Sequence, residues 1–143
     1  MATPHVDLVE LETVEGFHHR AQVRAHTLTI DEPPGLGGSD RGPTPMEMVA
    51  SGLAGCTAIT LRMYAQRKSW PLEGVRVRVE HEQRAHTATP EGEHRDRFER
   101  SIELLGDLDE EQKARLLAIA NKCPVHVCLE NGATIATRLA PAS

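Results

Sequence analysis

Aromatic side chains, long apolar runs and blocks of like charge are scarce or absent in this sequence of 143 residues. Acidic and basic residues are interleaved and give a formal net charge of -5, which argues against a nucleic-acid partner. No apolar run approaches the length that crosses a membrane, so we expect no membrane association. The opening stretch "MATPHVDLVELETVEG" lacks the basic start and apolar core of a secretion signal. The sequence therefore predicts a cytoplasmic protein.

Cysteine is also rare, and the count of three is odd. An odd count fits poorly with the disulfides of a secreted protein, whereas free thiols are usual in a reducing compartment. The length is typical of one domain, which we predict to span residues 1–143. Because aromatics make up only 3% of the residues, the core must be built from smaller aliphatic side chains. We therefore expect a partner subunit to cover further apolar surface.

The order of apolar patterns predicts an α+β fold. Alternation of apolar and polar residues is typical of half-buried strands, and apolar residues three to four apart are typical of helices. We predict strands over 5–14, 19–30, 74–87, 97–106 and 133–140, and helices over 45–69, 107–122 and 124–131. The predicted order is therefore β-β-α-β-β-α-α-β, with the third and fourth strands paired antiparallel.

Polar side chains crowd one face of the predicted strand over 19–30. Side chains alternate along a strand, so every second residue shares a face. One such face is mostly basic and holds Arg20, Gln22, Arg24 and His26. The stretch that follows, "DEPPGLGGSDRGPTP", is dense in proline and glycine, which predicts a long loop over 31–45. Long ordered loops are often functional.

The helix after this loop has a well-marked predicted start. Thr44 is expected at the N-cap, Pro45 at the first helical position and Glu47 in a capping box with Thr44. Further along, Gly52 and Gly55 each cost about 1 kcal/mol relative to alanine inside a helix. We therefore expect another element to pack closely against that surface.

Cys56 lies in the middle of this helix, within the stretch "MVASGLAGCTAIT". The effect of a helix dipole fades after the first turn, so any activation of this thiol has to come from groups elsewhere in the fold. A thiol in apolar surroundings otherwise has a raised pKa and is unreactive. From the residues alone, Cys56 is either a small packed side chain or a nucleophile.

Cys123 is placed differently, because Pro124 follows it and proline is common at the first position of a helix. If 124–131 is helical, Cys123 lies at the N-cap, where free backbone N–H groups stabilise a thiolate. Lys122 adds positive charge beside it. Cys128 would lie about 140° further round such a helix. We therefore expect no local pairing between the two cysteines and predict that Cys128 belongs to the core.

Two other chemistries use the same residue types. The cluster of Cys123, His126 and Cys128 lacks the spacing usual for zinc ligands, and the chain has no C-x-x-C pair, so we expect no metal. A Cys–His hydrolase or transferase needs a histidine base, for which His26, His81 and His126 are the candidates. No local motif supports that chemistry.

Three stretches of the sequence share a pattern with a known family: "GGSDRGPTPMEMVASGLAGCTAITLRMYA", "DLDEEQKARLLAIANKCPV" and the terminal "ATIATRL". Together they resemble the OsmC/Ohr family of osmotically inducible and organic-hydroperoxide-resistance proteins, over about residues 5–140. The resemblance implies an OsmC-like α+β fold, with antiparallel sheets wrapped around central helices in an intertwined homodimer. It also implies a thiol peroxidase that uses no metal, flavin or other cofactor.

The resemblance further implies roles for particular residues. Cys56 matches the peroxidatic position, whose thiolate attacks a hydroperoxide and becomes a sulfenic acid. Cys123 matches the resolving position, which condenses with that sulfenic acid to form a disulfide. An external dithiol or a small thiol then reduces the disulfide. The family has an activating arginine from the early strands, so Arg20 or Arg24 is implied in that role.

Apolar residues about one turn either side of Cys56 are implied as the pocket for an organic hydroperoxide, and they are Leu53, Ile59 and Met63. The sequence departs from the peroxidase branch at Met46, where that branch typically has a glutamate after the proline. This departure leaves an alternative function open. In that alternative, the protein is a non-enzymatic OsmC-like protein that binds an apolar small molecule or senses oxidants.

Overall fold

The structure is a computed structural model that describes residues 5–141. Its contacts divide the chain into two compact units, Met1–Val49 and Ala50–Ser143. The first unit holds a three-stranded antiparallel sheet, and the second holds a two-stranded antiparallel sheet with helices. The α+β class and the antiparallel pairing are therefore confirmed, whereas the single domain over residues 1–143 stays a prediction. Among the described residues, no helix combines the length and the apolar character needed to cross a bilayer.

The first unit is built on a meander of three strands, which are β1 (Glu10–Glu15), β2 (His18–Val23) and β3 (His26–Ile30). Val23 pairs with His26 across a two-residue turn, in which Arg24 has a φ of 54°. The prediction of one strand over 19–30 is therefore wrong. The face that Arg20, Arg24 and His26 were expected to share is wrong too, because the chain reverses at Arg24 and the alternation along β2 ends at Val23.

The loop after β3 is ordered around a buried carboxylate, that of Asp31. Its oxygens accept hydrogen bonds from the backbone N–H groups of Glu32 (2.7 Å), Ser39 (3.4 Å) and Arg41 (3.1 Å). Burial raises the pKa of Asp31, but these three donors outweigh it and hold the pKa below its ordinary value. The predicted long loop is confirmed, and hydrogen bonds to the side chain of its first residue, Asp31, fix its backbone conformation.

The second unit combines helices with one antiparallel hairpin. In chain order its elements are α1 (Pro45–Lys68, in this unit from Ala50 onward), β4 (Gly74–Gln83), β5 (Asp96–Leu105), α2 (Glu110–Ala120) and α3 (Pro124–Asn131). The register of the hairpin runs from Gly74 opposite Leu105 to Gln83 opposite Asp96. Half-buried and exposed residues alternate along both strands, as expected for a sheet with one covered face.

A small aliphatic core stabilises the second unit. Its buried members come from α1, α2 and the connections beside the hairpin, and they are Leu61, Ala65, Leu72, Leu108, Leu116, Ile119 and Ala120. Leu61 and Leu116 have no exposed surface at all. Truncating a fully buried leucine to alanine typically costs about 2–5 kcal/mol, so these two side chains matter most for stability.

Helix α1 begins and ends as predicted. The Thr44 N–H donates to the Glu47 carboxylate (2.8 Å) and the Glu47 N–H donates to the Thr44 hydroxyl (3.1 Å), which completes the capping box. The helix ends at Lys68, inside the predicted range. The close approach expected at Gly52 and Gly55 is wrong for the single chain. Within residues 5–141, a β-carbon at either glycine would meet no neighbouring atom within 4 Å.

The two chain ends have less strand than predicted. The first strand begins at Glu10 rather than at residue 5, and residues 133–141 form no strand in the described chain. Ile135 is 86% exposed and Leu139 is 98% exposed. A strand needs a neighbouring strand to receive its backbone hydrogen bonds, and this segment has none in the described single chain, so the strand predicted over 133–140 is wrong.

Candidate active site

Two cysteines from different elements meet at the first turn of α3. Cys56 projects from the middle of α1, and Cys123 is the N-cap of α3. The Val125 N–H donates to the Cys56 sulfur (3.5 Å), and the His126 N–H donates to the Cys123 sulfur (3.3 Å). Free N–H groups at a helix start carry partial positive charge, so the first turn of α3 supplies each sulfur with a hydrogen-bond donor. The predicted N-cap at Cys123 is confirmed.

The chain places Cys123 by a short connection between two helices. Helix α2 ends at Ala120 and α3 begins at Pro124. The Cys123 N–H donates to the Ala120 carbonyl (3.4 Å), and the Cys123 carbonyl accepts from the Val127 N–H (3.1 Å). Proline at the first helical position loses no hydrogen bond, and its fixed φ already suits the helix. Cys123 is therefore held from both sides.

The three thiols differ in exposure. Cys123 is fully buried at 0% exposure, Cys56 is partly buried and Cys128 is exposed. The prediction that Cys128 belongs to the core is wrong, because the turn of α3 carries it about 140° away from the buried N-cap. A small molecule from solvent therefore reaches Cys56 before Cys123. The described residues contain no group of three or more histidine, cysteine, aspartate or glutamate side chains placed to hold a metal ion.

The surroundings of Cys56 raise the pKa of its thiol on balance. Burial is the largest influence and raises the pKa of Cys56 above its ordinary value. The Cys123 thiol raises this pKa further through a hydrogen bond and charge repulsion. The Val125 N–H, which donates to the Cys56 sulfur, and the Thr60 hydroxyl act in the opposite direction and lower this pKa. The two thiols thus interact directly, and the amide of α3 offsets part of the burial.

A guanidinium from β5 connects the helices around the two thiols. The Nη1 group of Arg100 donates to the Thr57 hydroxyl oxygen (3.0 Å). Its Nη2 group donates to the Asn121 side-chain oxygen (3.1 Å) and to His126 Nδ1 (3.1 Å). Thr57 lies on α1 next to Cys56, Asn121 caps the end of α2, and His126 lies in the first turn of α3. One side chain therefore contacts three helices.

Thr57 lies between this guanidinium and the buried thiol. Its hydroxyl donates to the Leu53 carbonyl (2.7 Å) and lies 3.8 Å from the Cys123 sulfur. A hydroxyl has one proton and two acceptor lone pairs. The proton goes to Leu53 and one lone pair accepts from Arg100, so the second lone pair faces Cys123. This lone pair can accept the proton of the Cys123 thiol.

The ring nitrogens of His126 and His81 are hydrogen-bonded to groups other than the thiols. Arg100 has only donors, so Nδ1 of His126 must accept and the His126 proton lies on Nε2. That Nε2–H donates to the Glu130 carboxylate (3.1 Å). In the same way, Nε2 of His81 contacts the Asp96 carboxylate (2.9 Å). Because His126 and His81 are engaged elsewhere, neither provides the base that Cys–His chemistry requires.

The predicted activating arginines lie in the first unit. Arg20, on β2, forms an ion pair with Glu12 on β1, and Arg24 lies in the turn between β2 and β3. The third histidine candidate, His26, begins β3. In the described part of the second unit, no lysine or arginine nitrogen is hydrogen-bonded to either thiol. The roles of Arg20 and Arg24 stay predictions.

The residues predicted to line a substrate pocket are not all enclosed. Leu53 is buried one turn before Cys56, and its carbonyl accepts from Thr57. Ile59 is 62% exposed and Met63 is 53% exposed. In the single chain these two side chains therefore lie on the surface of α1, and their contact with a substrate stays a prediction.

The sequence did not predict Arg100, Thr57 and Asn121 as part of this site. A signal for Arg100 was present, because it alternates in step with the half-buried residues Phe98 and Ile102 along β5. A charged residue on the apolar face of a strand needs a polar partner inside the protein. No comparable signal marks Thr57 or Asn121, since their role depends on which helices meet Arg100.

Comparison with known proteins identifies the family. The sequence profile of OsmC-like proteins matches residues 37–138, which include both Cys56 and Cys123. A comparison with curated protein sequences found no match.

Solved structures share the fold of this chain at low sequence identity. The OsmC-like protein of Mycoplasma pneumoniae has a TM-score of 0.72 at 20% identity, covering 89% of this chain and 89% of that chain. An organic hydroperoxide resistance protein OsmC of Legionella pneumophila has a TM-score of 0.64 at 21% identity, covering 90% and 91%. An organic hydroperoxide resistance protein of Elizabethkingia anophelis has a TM-score of 0.63 at 18% identity, covering 92% and 93%. The OsmC-like fold expected from the sequence is confirmed, and since the profile spans more than half of its residues, this chain belongs to the family of OsmC-like proteins.

Proposed function

We propose that this protein is a thiol-dependent peroxidase that reduces organic hydroperoxides through Cys56 and Cys123. The observation that supports the proposal most is the first turn of α3, where adjacent N–H groups each bind one of the two sulfurs. Two interacting thiols are the minimum needed to reduce a peroxide and then close to a disulfide. Two structurally similar proteins carry the name organic hydroperoxide resistance protein, which points to the same substrate class.

The first step takes place at Cys56, which is the more exposed of the two thiols. Its proton is lost, and the thiolate attacks the distal oxygen of the hydroperoxide. The O–O bond breaks, the alcohol leaves with a proton, and Cys56 becomes a sulfenic acid. The Val125 N–H stabilises the thiolate, since it already donates to this sulfur in the resting protein.

The second step joins the two cysteines. The Cys123 sulfur attacks the Cys56 sulfur, the S–O bond of the sulfenic acid breaks, and water leaves. The two sulfurs accept hydrogen bonds from adjacent N–H groups of α3, so this step needs no outside thiol. A dithiol or a small thiol from the cytoplasm then restores both thiols by exchange.

We expect the working molecule to be a homodimer. Ile59, Met63, Ile135 and Leu139 are large apolar side chains that the described single chain leaves exposed. Exposed apolar patches on soluble proteins commonly mark contact surfaces. A second copy of the chain that covers α1 would also enclose the pocket predicted around Cys56.

The raised pKa of Cys56 favours a second candidate function, that of an oxidant sensor. A thiol that is mostly protonated reacts slowly with peroxide, because only the thiolate is the nucleophile. Such a pair would be oxidised only under strong stress and would then persist as a disulfide. The two functions differ in the number of turnovers that each protein molecule completes.

The test is turnover of cumene hydroperoxide with dithiothreitol as reductant. We expect Cys56→Ser to abolish turnover, and Cys123→Ser to accumulate a sulfenic acid at Cys56 that dimedone traps. Cys128→Ser is the matched control, because it removes an exposed thiol outside the pair, and its turnover should equal that of the parent. Unchanged turnover in Cys56→Ser would end the peroxidase proposal. Disulfide formation without repeated turnover would support the sensor instead.

A further inference from the structure

We propose that Arg100 and Thr57 are positioning residues for the resolving step, in which Cys123 attacks oxidised Cys56. The inference rests on the proposed peroxidase cycle. It adds two side chains that assist disulfide formation without forming a bond to sulfur themselves. Thr57 is the side chain next to Cys123 whose hydrogen bonding can change with the protonation state of that sulfur. Arg100 holds Thr57 ready for the change.

The orientation of Arg100 is fixed by its contacts. Its guanidinium donates to acceptors on α1, at the end of α2 and on α3, namely Thr57, Asn121 and His126. A planar guanidinium with donors in a rigid fork that meets three acceptors cannot rotate without losing several hydrogen bonds at once. Arg100 therefore occupies one lone pair of the Thr57 hydroxyl in the resting protein.

The Thr57 hydroxyl can exchange partners while its oxygen stays in place. In the resting protein its proton goes to the Leu53 carbonyl (2.7 Å), and its free lone pair faces the Cys123 thiol (3.8 Å). When Cys123 loses its proton, the hydroxyl proton turns from Leu53 to the sulfur. Thr57 then changes from an acceptor to a donor. The charge of Arg100 on the other side of the oxygen favours this change.

The Thr57 hydroxyl changes its hydrogen-bond partner only in the second chemical step. There the Cys123–Cys56 S–S bond forms, the S–O bond of the sulfenic acid breaks, and the proton of Cys123 leaves with the hydroxide as water. The electrons balance with the hydroperoxide as the only oxidant. Thr57 stabilises the Cys123 sulfur while its proton leaves, whereas Cys56 accepts its hydrogen bond from the Val125 N–H.

The test compares two substitutions of one residue. Thr57→Val keeps the shape of the side chain and removes the hydroxyl, and Thr57→Ser keeps the hydroxyl. We expect Thr57→Val to slow disulfide closure about tenfold, the size expected for a lost hydrogen bond in a polar network. We expect Thr57→Ser to close at about the rate of the parent. A residue with a purely structural role would not divide the two steps in this way.

The two steps are measured separately by rapid mixing with cumene hydroperoxide. Formation of the sulfenic acid is followed in the Cys123→Ser background, and closure is followed with Cys123 present as the loss of dimedone-reactive sulfenic acid. Formation should change by less than about twofold in Thr57→Val. Thermal unfolding followed by circular dichroism confirms that each variant is folded.

Arg100 is tested with a matched control on the same strand. We expect Arg100→Gln to slow closure as Thr57→Val does. Arg97→Gln removes an arginine that pairs with Glu99 on the exposed face of β5 (2.8 Å) and should leave closure unchanged. Arg100→Lys keeps the charge without the fork, and we expect it to recover part of the closure rate.

The outcomes separate this inference from the proposed function. If Thr57→Val forms the sulfenic acid and closes at the parent rate, the inference is overturned and the peroxidase stands. Equal slowing of formation and closure also overturns it, because a general packing defect then explains the result. If even the parent forms no sulfenic acid, the peroxidase proposal fails. Closure is then driven with diamide, where Thr57→Val slower than Thr57→Ser supports the inference and equal rates overturn it.

Discussion

At the scale of residues, the N–H groups of Val125 and His126 give the two sulfurs a common setting. The two hydrogen bonds to sulfur measure 3.5 Å and 3.3 Å, and for Cys56 the effect of burial on the pKa is larger than that of the amide. The start of α3 adds the partial positive charge of its dipole, about half an elementary charge. The pKa of Cys56 is therefore raised on balance, and the Val125 N–H is in place to stabilise its thiolate once this forms.

The raised pKa of Cys56 predicts how its reactivity depends on pH. Below that pKa the thiolate fraction rises about tenfold with each pH unit, and only the thiolate attacks peroxide. The Cys123→Ser variant loses the smaller effect of Cys123 on the pKa of Cys56 and keeps the larger effect of burial. In this variant, the second-order rate of sulfenic acid formation should therefore climb steadily through neutral pH. A plateau below neutral pH would show a stabilised thiolate and contradict the raised pKa.

Asp31 makes a second prediction that depends on pH. Its pKa is lowered in the folded protein, so its contribution to stability is present above its ordinary pKa and disappears as the pH falls through the lowered pKa. Asp31→Asn should lower the free energy of unfolding in urea at neutral pH and have less effect in acid. Asp40→Asn is the control, because Asp40 is exposed in the same loop and asparagine tolerates its positive φ. Equal effects of both substitutions would contradict the role of Asp31.

At the scale of elements, local patterns predicted most of the secondary structure. The capping box of Thr44 and Glu47 and the alternation along β4 and β5 depend on neighbouring residues only, and the structure has both. The turn at Arg24 was not predictable, because arginine rarely adopts a positive φ and no glycine or asparagine marks the position. The strand expected over 133–140 fails for a different reason, since pairing depends on a partner strand.

The two cysteines of the candidate site were predictable from the sequence, whereas the residues that surround them were less so. The N-cap at Cys123 follows from Pro124, and the resemblance to a family singled out Cys56. The contacts of Arg100 depend on how β5 packs against three helices, and no short motif encodes that packing. Only the in-step position of Arg100 with Phe98 on β5 carried a usable signal.

Helix α2 offers a direct test of the core. Leu116 is fully buried, whereas the next residue, Leu117, is exposed. We expect Leu116→Ala to lower the free energy of unfolding by about 2–5 kcal/mol, because it leaves a cavity in the core. Leu117→Ala on the same turn should change it by less than about 0.5 kcal/mol. Urea unfolding measures both, and similar losses from the two variants would contradict the assigned packing of α2.

At the scale of the whole molecule, the exposed apolar side chains of α1 predict self-association. Ile59 and Met63 are one turn apart, and burying such side chains in an interface contributes about 25 cal/mol for each Å² of apolar surface covered. Sedimentation should show a dimer at low micromolar concentration, and Ile59→Glu should shift it toward monomer. Gln83→Glu adds the same charge at an exposed position of β4, outside α1, and should leave the dimer intact. A stable monomer of the parent would contradict the proposed homodimer.

Adjacent amides of a single helical turn serve both sulfurs, so the two thiols cannot be adjusted independently through that turn. Any substitution that unwinds the first turn of α3 therefore removes the backbone donors of Cys56 and Cys123 together. An engineer who wants to silence one thiol and keep its neighbour reactive therefore has to exchange the sulfur itself rather than the backbone that holds it.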